Sequence, residues 1–246
     1  SVPADDPPEN AARIFDDLLE VEGVVIRQRP DSGTTPVSSG MVSLAEVPSA
    51  PASALVEQML VDSDNTTAEL LVKELGTFGG EQGTTVRGLS TILEILTEAG
   101  HPVEGAVPHD GSGLDPDNRV TCGLLTSVLN DRDFGDLLVN SLPVAGDRGT
   151  MKKRFVGTAG EGRVRAKTGT LRNVSSLAGV VDTAGGRRLA FALISNGDLP
   201  FEIRDLHEDV VLASTSYLVR GIYVPTYILV RISRTRTLYS ELQGKK

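Results

Sequence analysis

The sequence reads Arg-Ala-Lys-Thr-Gly-Thr-Leu at residues 165–171, and this segment predicts the edge of a β-sheet. Polar and apolar residues alternate into it, as in a half-buried strand. Lys167 supplies a compact positive charge, and Thr168 and Thr170 supply hydroxyl groups. Gly169 has no side chain, so a ligand backbone could approach closely. Such a strip suits an anionic, peptide-like ligand beside the strand. A plain surface strand ending in a turn explains the same residues, so other segments must decide.

Composition and charge exclude several classes of function. The 246 residues carry 24 Lys and Arg against 33 Asp and Glu, and the net charge of −9 argues against nucleic acid or an anionic membrane as partner. Apolar residues make up 39% of the chain, which is enough to bury a core. Cys122 is the single cysteine and the three histidines are scattered, so we expect no disulfide, no metal site and no cofactor.

Apolar spacing predicts several helices and one group of strands. The predicted helices span residues 10–20, 51–76 with an interruption at 62–67, 84–99, 117–130, 133–139, 150–155 and 206–218. The predicted strands span residues 24–26, 41–44, 163–168, 176–181, 189–195 and 223–232, with a hairpin turn at Gly185-Gly186. We therefore expect an α+β fold. An antiparallel sheet carries Lys167 on an edge strand between flanking helices, and a helical subdomain presents residues 63–65 across a cleft.

Residues 222–246 form a basic tail on an otherwise acidic chain. Its basic side chains include Arg231, Arg234, Arg236, Lys245 and Lys246. The tail could be a native edge strand with an extension, or a remnant that does not belong to the native protein, and we favour the second interpretation. The folded domain is then expected within residues 1–221.

A second pattern, Ser63-Asp64-Asn65, lies in the break between two predicted helices. A Ser-x-Asn triplet occurs by chance roughly once in a chain of this length, given average composition. On its own it is equally typical of a helix start at which Ser63 or Asn65 bonds the backbone. Together with the Lys-Thr-Gly triplet at residues 167–169, in this order, it matches two of the three signatures of serine penicillin-recognising enzymes.

Further blocks extend the match. Residues 59–65, 110–114, 118–121, 149–155 and 164–171 resemble, in this order, the D-Ala-D-Ala carboxypeptidases of the S13 peptidase family, the class C low-molecular-mass penicillin-binding proteins. The resemblance covers roughly residues 10 to 220. It implies a penicillin-binding transpeptidase-like fold, of which residues 1–221 form an incomplete, C-terminal portion.

One departure from the family pattern is decisive. None of the six lysines has a serine three positions before it, so the nucleophile signature Ser-x-x-Lys is absent from the sequence. In the family that signature lies far N-terminal to the Ser-x-Asn triplet. We therefore expect a missing N-terminal segment, or another chain, to supply the nucleophile. This chain alone is predicted to be inactive.

The resemblance implies a role for each matching residue. Ser63 would relay protons to the leaving amine, and Asn65 would hydrogen-bond the substrate's peptide carbonyl. Lys167 would provide positive potential for the substrate carboxylate and for the nucleophile. The reaction would be acyl transfer through a serine ester, followed by hydrolysis, with no metal or other cofactor.

The remaining strand residues would bind substrate. The hydroxyls of Thr168 and Thr170 would hold the terminal carboxylate, and the Thr170 N–H would form half of an oxyanion hole. Gly169 belongs to the same strip, and Leu171 would wall the pocket. The implied partners are peptidoglycan stem peptides ending in D-Ala-D-Ala and β-lactams, outside the cytoplasmic membrane.

Other interpretations of the residues remain open. The chain could be a non-catalytic module that binds cell-wall peptides, since binding needs only the strip at residues 167–171. A β-lactamase is disfavoured because no deacylating glutamate motif can be assigned. His109 beside Asp110 suggests a Ser-His-Asp triad, but no serine lies in a nucleophile elbow. The glycine-rich turn at residues 110–114 is expected to be architectural rather than catalytic.

Overall fold

The structure is a computed structural model that describes residues 6–33, 42, 45–80, 82–197, 200–215 and 227–232. The chain divides into two compact units, Ser1–Ser49 and Ala50–Lys246. Among the described residues, no helix combines the length and the apolar character that a membrane span requires.

The described residues of the first unit contain one helix, α1 (Pro7–Val21). It begins before the predicted start because Asp6 accepts a hydrogen bond from the Glu9 N–H and a proline occupies the first turn. The strand predicted at residues 24–26 is wrong: these residues form no strand and all three are exposed. An apolar run forms a strand only where it can pair with a neighbouring strand and bury one face. The strand predicted at residues 41–44 lies outside the described residues, apart from Val42.

The second unit carries six α-helices among its described residues. They are α2 (Ala52–Asp62), α3 (Asn65–Leu75), α4 (Thr85–Glu98), α5 (Cys122–Leu129), α6 (Gly135–Ser141) and α7 (Pro200–Thr215). Capping side chains start three of them: Asp64 for α3, Thr84 for α4 and Thr121 for α5 each accept backbone N–H bonds. The predicted break within residues 51–76 is confirmed, although it is shorter than expected.

Three helix predictions differ clearly from the structure. The last helix, predicted from residue 206, begins at Pro200. The helix expected from residue 117 begins only at Cys122, because the backbone of Arg119 pairs with Val107 and Thr121 caps the helix start. The helix expected over residues 150–155 is a single 3-10 turn, Gly149–Met151, followed by turns. Local spacing shows helical periodicity but not the bonds to distant segments that stop a helix.

The sheet has four described strands in the order β1-β2-β3-β4. The predicted antiparallel arrangement of β1 (Val164–Leu171), β2 (Val174–Asp182) and β3 (Arg188–Asn196) is confirmed. β4 (Tyr227–Ile232) lies beside β3 and runs parallel to it. It covers part of the strand predicted at residues 223–232, of which 223–226 lie outside the described residues. β1 is the opposite edge strand, so Lys167 lies at the predicted edge.

Helices cover both faces of the sheet, which explains why β2 and β3 are apolar almost throughout. One core cluster includes Met151, Phe155, Leu177, Leu193 and Val211, and so joins the sheet to α7. A second cluster joins it to α5 and α6 through Leu129, Val139, Leu142, Val180 and Ala190. With its core packed on both sides, the sheet holds β1 as a rigid support at the edge of the site.

Candidate active site

Ser63 lies at the junction of α2 and α3 in a left-handed backbone conformation, with φ 56° and ψ 49°. Its N–H donates to the carbonyl of Met59 and so closes the last turn of α2. A non-glycine residue in this region costs on the order of 1 kcal/mol, and such strain persists where the surroundings require it. The turn of Gly149 packs against the carbonyl of Val61, so the end of α2 is supported from outside as well.

Asp64 is the capping residue of the triplet, rather than Ser63 or Asn65. Its carboxylate accepts hydrogen bonds from the Thr66 N–H at 2.9 Å and from the Thr67 hydroxyl at 2.8 Å. The bond from the Thr67 side chain, followed by that from the Thr67 N–H, lowers the pKa of Asp64. The middle residue of the triplet therefore starts α3 and fixes the backbone between Ser63 and Asn65.

Lys167 reaches from β1 to the junction of α2 and α3. Its Nζ donates to Ser63 Oγ at 2.6 Å, although the two residues are 104 positions apart, and to the carbonyl of Thr168 at 2.8 Å. Burial lowers the pKa of Lys167 below its usual value of 10.5. The structure thus brings together the two sequence patterns through a direct contact between their polar groups.

A cavity of about 460 Å³ lies at this contact. All the predicted site residues line it: Ser63, Asn65, Lys167, Thr168, Gly169, Thr170 and Leu171. Its walls come from α2 and α3, from the edge strand β1, and from the glycine-rich turn at residues 110–114. Among the described residues, no group of three His, Cys, Asp or Glu side chains is placed to hold a metal ion.

The outer edge of β1 is covered over its first half only. The Ala145 N–H donates to the carbonyl of Val164, and the Ala166 N–H donates to the carbonyl of Pro143. Outward-facing residues alternate along a strand, so the next backbone groups that face this edge belong to Thr168 and Thr170. β2 pairs with the inner edge of β1 along its whole length, but in the described part of the chain no segment pairs with the outer edge beyond Ala166.

The structure gives Gly169 a reason that the sequence interpretation missed. A Cβ at this position would collide with the hydroxyl of Ser176, its partner on β2. A side chain at residue 169 would therefore force the Ser176 hydroxyl to rotate away from the position that it holds here, apart from any effect on a ligand. Ser176 also lines the cavity and was not among the predicted residues. Only the register of the two strands could have identified it.

The glycine-rich turn contributes Gly111, Ser112, Gly113 and Leu114 to the cavity, which the sequence interpretation did not predict. Asp110 organises the turn by accepting bonds from the N–H groups of Gly113 and Asp115 and from the Asn118 side chain. Burial alone would raise the pKa of Asp110, but the bonds from Asn118 and from the backbone outweigh it and lower this pKa. This carboxylate is occupied by internal bonds, as in an architectural turn.

Known proteins resemble this chain in both sequence and structure. A family model described as the D-Ala-D-Ala carboxypeptidase 3 (S13) family matches residues 1–217. A D-alanyl-D-alanine carboxypeptidase of an Actinomadura species is 36% identical over 202 residues, covering 78% of this chain and 37% of that protein. Carboxypeptidase DacB of Mycolicibacterium smegmatis is 38% identical over 183 residues, covering 70% of this chain and 40% of that protein. The chain therefore spans well under half the length of these relatives.

Solved structures show the same fold. Penicillin binding protein 4 of Haemophilus influenzae, in a complex with a β-lactam, superposes with a TM-score of 0.68 at 25% identity, over 88% of this chain and 53% of that chain. A predatory endopeptidase of Bdellovibrio bacteriovorus shares the fold with a TM-score of 0.54 at 18% identity, over 88% of this chain and 62% of that chain. The α+β fold is that of the penicillin-binding transpeptidases, and because the family model covers most of its length, the chain belongs to the D-Ala-D-Ala carboxypeptidase 3 (S13) family.

Proposed function

We propose that this chain forms the C-terminal portion of a serine-type D-Ala-D-Ala carboxypeptidase or endopeptidase that acts on peptidoglycan stem peptides. The observation that carries this proposal is the 2.6 Å contact between Lys167 Nζ and Ser63 Oγ, inside a cavity that the strip at residues 167–171 also lines. Membership of the S13 family supports the same reaction class. The substrate places the protein outside the cytoplasmic membrane.

Substrate recognition follows from the chemistry of the strip. The Lys167 ammonium supplies a positive charge, and the hydroxyls of Thr168 and Thr170 supply donors for the carboxylate of a terminal D-Ala. The open edge of β1 offers backbone groups to an extended peptide, which would add to the sheet as a further strand. A β-lactam would occupy the same strip because it also carries a carboxylate beside an acyl group.

The reaction needs a serine from a Ser-x-x-Lys segment outside these 246 residues. Its hydroxyl oxygen bonds to the scissile carbonyl carbon, and the C–N bond to the terminal D-Ala breaks. The proton that the attacking hydroxyl loses reaches the leaving amine through the Ser63 hydroxyl. Water then cleaves the serine ester. Asn65 holds the substrate's peptide carbonyl, and the Thr170 N–H stabilises the developing oxyanion, a contribution worth about 3 kcal/mol in comparable sites.

Labelled penicillin tests the proposal directly. The 246-residue chain is expected to form no covalent adduct, since its sequence contains no Ser-x-x-Lys. A longer gene product that includes this signature is expected to become labelled, and replacing the serine of that signature by alanine should abolish the label. A stable adduct on the 246-residue chain itself would contradict the assignment of the nucleophile to another segment.

The absence of Ser-x-x-Lys from these residues also favours a second candidate, a non-catalytic module that binds cell-wall peptides. It requires the same strip at residues 167–171 but predicts reversible binding without turnover, even in the longest gene product. Release of D-Ala from a stem peptide by that product would exclude the module. Saturable binding without release would favour it.

A further inference from the structure

Glu69 connects two walls of the cavity. It lies on α3, one turn beyond Asn65, and its Oε1 accepts hydrogen bonds from two consecutive backbone N–H groups, Gly111 at 3.0 Å and Ser112 at 2.9 Å. Gly111 and Ser112 line the cavity, whereas Glu69 does not. Two backbone N–H groups that bond to the same side-chain oxygen attach the turn to α3 at one defined point.

A second contact brings the turn against the same helix. A Cβ at Gly111 would lie 2.5 Å from Val72 Cγ2 and 2.8 Å from the carbonyl oxygen of Ala68, so a side chain at this position is excluded. The backbone of the turn therefore lies directly on α3. Gly111 allows the close approach, and Glu69 satisfies the N–H groups that the approach brings to the helix.

The turn's internal shape has a different origin. Asp110 bonds the N–H groups of Gly113 and Asp115, and these bonds do not involve α3. Loss of Glu69 would therefore loosen the attachment of the turn to the helix without unfolding the turn itself. The two carboxylates therefore have different roles: Asp110 determines the conformation of the turn, and Glu69 determines its position on α3.

We propose that Glu69 is a positioning residue that holds the turn at residues 110–114 as the third wall of the cavity that the Lys167 strip also lines. The inference rests on the proposed function for its ligand, but the attachment can be measured without that ligand. Without Glu69 the wall moves, and a peptide bound along the strip loses contacts on that side. The contact between Ser63 and Lys167 does not pass through Glu69, so it stays in place.

Amide hydrogen exchange, measured by NMR on the 246-residue chain, tests the attachment. Glu69→Ala should accelerate exchange at Gly111 and Ser112 by about tenfold or more and leave Gly113 and Asp115 as in the wild type. Glu69→Gln keeps an acceptor oxygen and should restore most of the protection. The matched control is Glu74→Ala, since Glu74 is exposed on the same helix.

Binding of the tripeptide N-acetyl-L-Lys-D-Ala-D-Ala provides the functional measurement. Its Kd should rise by about tenfold in Glu69→Ala and by less than about threefold in Glu69→Gln, with no change in Glu74→Ala. If the wild-type chain does not bind the tripeptide, the proposed function is contradicted, while the exchange pattern still decides whether Glu69 holds the turn.

Two results would overturn the inference. The first is wild-type exchange at Gly111 and Ser112 in Glu69→Ala. The second is accelerated exchange with an unchanged Kd, which would show that the position of the wall has no bearing on the ligand. Should Glu69→Ala fail to fold, Glu69→Asp decides, because its shorter side chain withdraws the acceptor oxygen from the two N–H groups. Exchange at Gly111 and Ser112 should then be faster than in the wild type while Gly113 and Asp115 are unchanged, and wild-type rates at all four amides would count against the attachment.

Discussion

The Nζ of Lys167 donates to the Oγ of Ser63 at 2.6 Å, and this contact joins an edge strand to the junction of two helices. The contact is not required to form either element, because Lys167 belongs to a regular strand and Ser63 closes the last turn of a helix. Ser63 nevertheless adopts a strained left-handed conformation, with φ 56°. Such a contact, paired with strain and burial of a cation, is typical of a catalytic site.

Ser63→Ala removes the hydroxyl that we propose as the proton relay. In the gene product that carries Ser-x-x-Lys, we expect the rate of acylation by labelled penicillin to fall by about 100-fold, because a positioned proton-transfer group contributes on that scale. The second-order acylation rate is the measurement. Ser90→Ala is the control, since Ser90 is exposed on α4 and bonds only Glu94 among its described contacts. An unchanged rate in Ser63→Ala would remove Ser63 from the mechanism.

The lowered pKa of Lys167 predicts how ligand binding depends on pH. Only the ammonium form attracts a carboxylate, and burial shifts the loss of its proton to a pH below 10.5. Affinity for N-acetyl-L-Lys-D-Ala-D-Ala should therefore be constant below the lowered pKa and fall as the pH rises through it. Isothermal titration calorimetry between pH 7 and about 10 would measure this fall.

Lys167→Gln should bind the same tripeptide weakly, with no such pH dependence, since no charge remains to be lost. Lys73→Gln is the matched control, because Lys73 is an exposed lysine on α3. An alkaline fall of equal size in Lys167→Gln would mean that another group titrates.

Gly88 allows α3 and α4 to cross closely, so Gly88→Ala should reverse the usual effect of this substitution. In an open helix, Gly→Ala stabilises by roughly 1 kcal/mol. Here a Cβ would collide with the carbonyl oxygen of Val72 and lie 2.8 Å from its Cγ1. We expect the free energy of unfolding to fall by about 2 kcal/mol in urea denaturation, as for overpacked sites.

Gly123→Ala tests the same substitution without the collision. The nearest atom to a Cβ at Gly123 is Thr121 Oγ1 at 3.9 Å, which is ordinary van der Waals contact. This variant should be neutral or more stable by up to about 1 kcal/mol. Equal losses of stability in both variants would show that the α3–α4 crossing is not what constrains Gly88.

Buried His207 should make stability depend on pH. The residue is 1% exposed, and its Nε2 lies 2.9 Å from Ser195 Oγ. Burial, with a smaller contribution from the charge of Arg154, lowers the pKa of His207 to about 4. As the pH falls below 6.5, His207 takes up a proton in the unfolded chain but stays neutral in the folded chain until about pH 4. The free energy of unfolding is therefore not reduced by His207 above pH 6.5, and it declines as the pH falls from 6.5 towards 4.

Urea denaturation at several pH values between about 7 and 4.5 measures this decline, which amounts to at most about 3 kcal/mol from the size of the shift. His207→Gln should lose this part of the pH dependence, whatever its stability at pH 7. Identical slopes in the variant and the wild type would assign the decline to carboxylates instead.

Prediction from the sequence succeeded where residues within a few positions of one another determine the local structure. The helix start at Thr84 and the hairpin at residues 185–186 rest on capping and turn residues that act locally. It failed at residues 24–26, where three apolar residues read as a strand but lack a partner, and at residues 117–121, where a pairing with Val107 prevents a helix. In both places a distant segment, or its absence, outweighs local propensity.

The amino-acid sequence by itself determined the elements and the chemical groups of the candidate site: a cation with hydroxyls at a strand edge, and a serine and an asparagine at a helix junction. These follow from residue type and periodicity, which act over a few residues. Only the tertiary structure decided that Lys167 contacts Ser63, that Gly169 faces the Ser176 hydroxyl, and that Glu69 accepts a hydrogen bond from Gly111. Those contacts depend on strand register and helix packing, because they join segments that no local pattern connects.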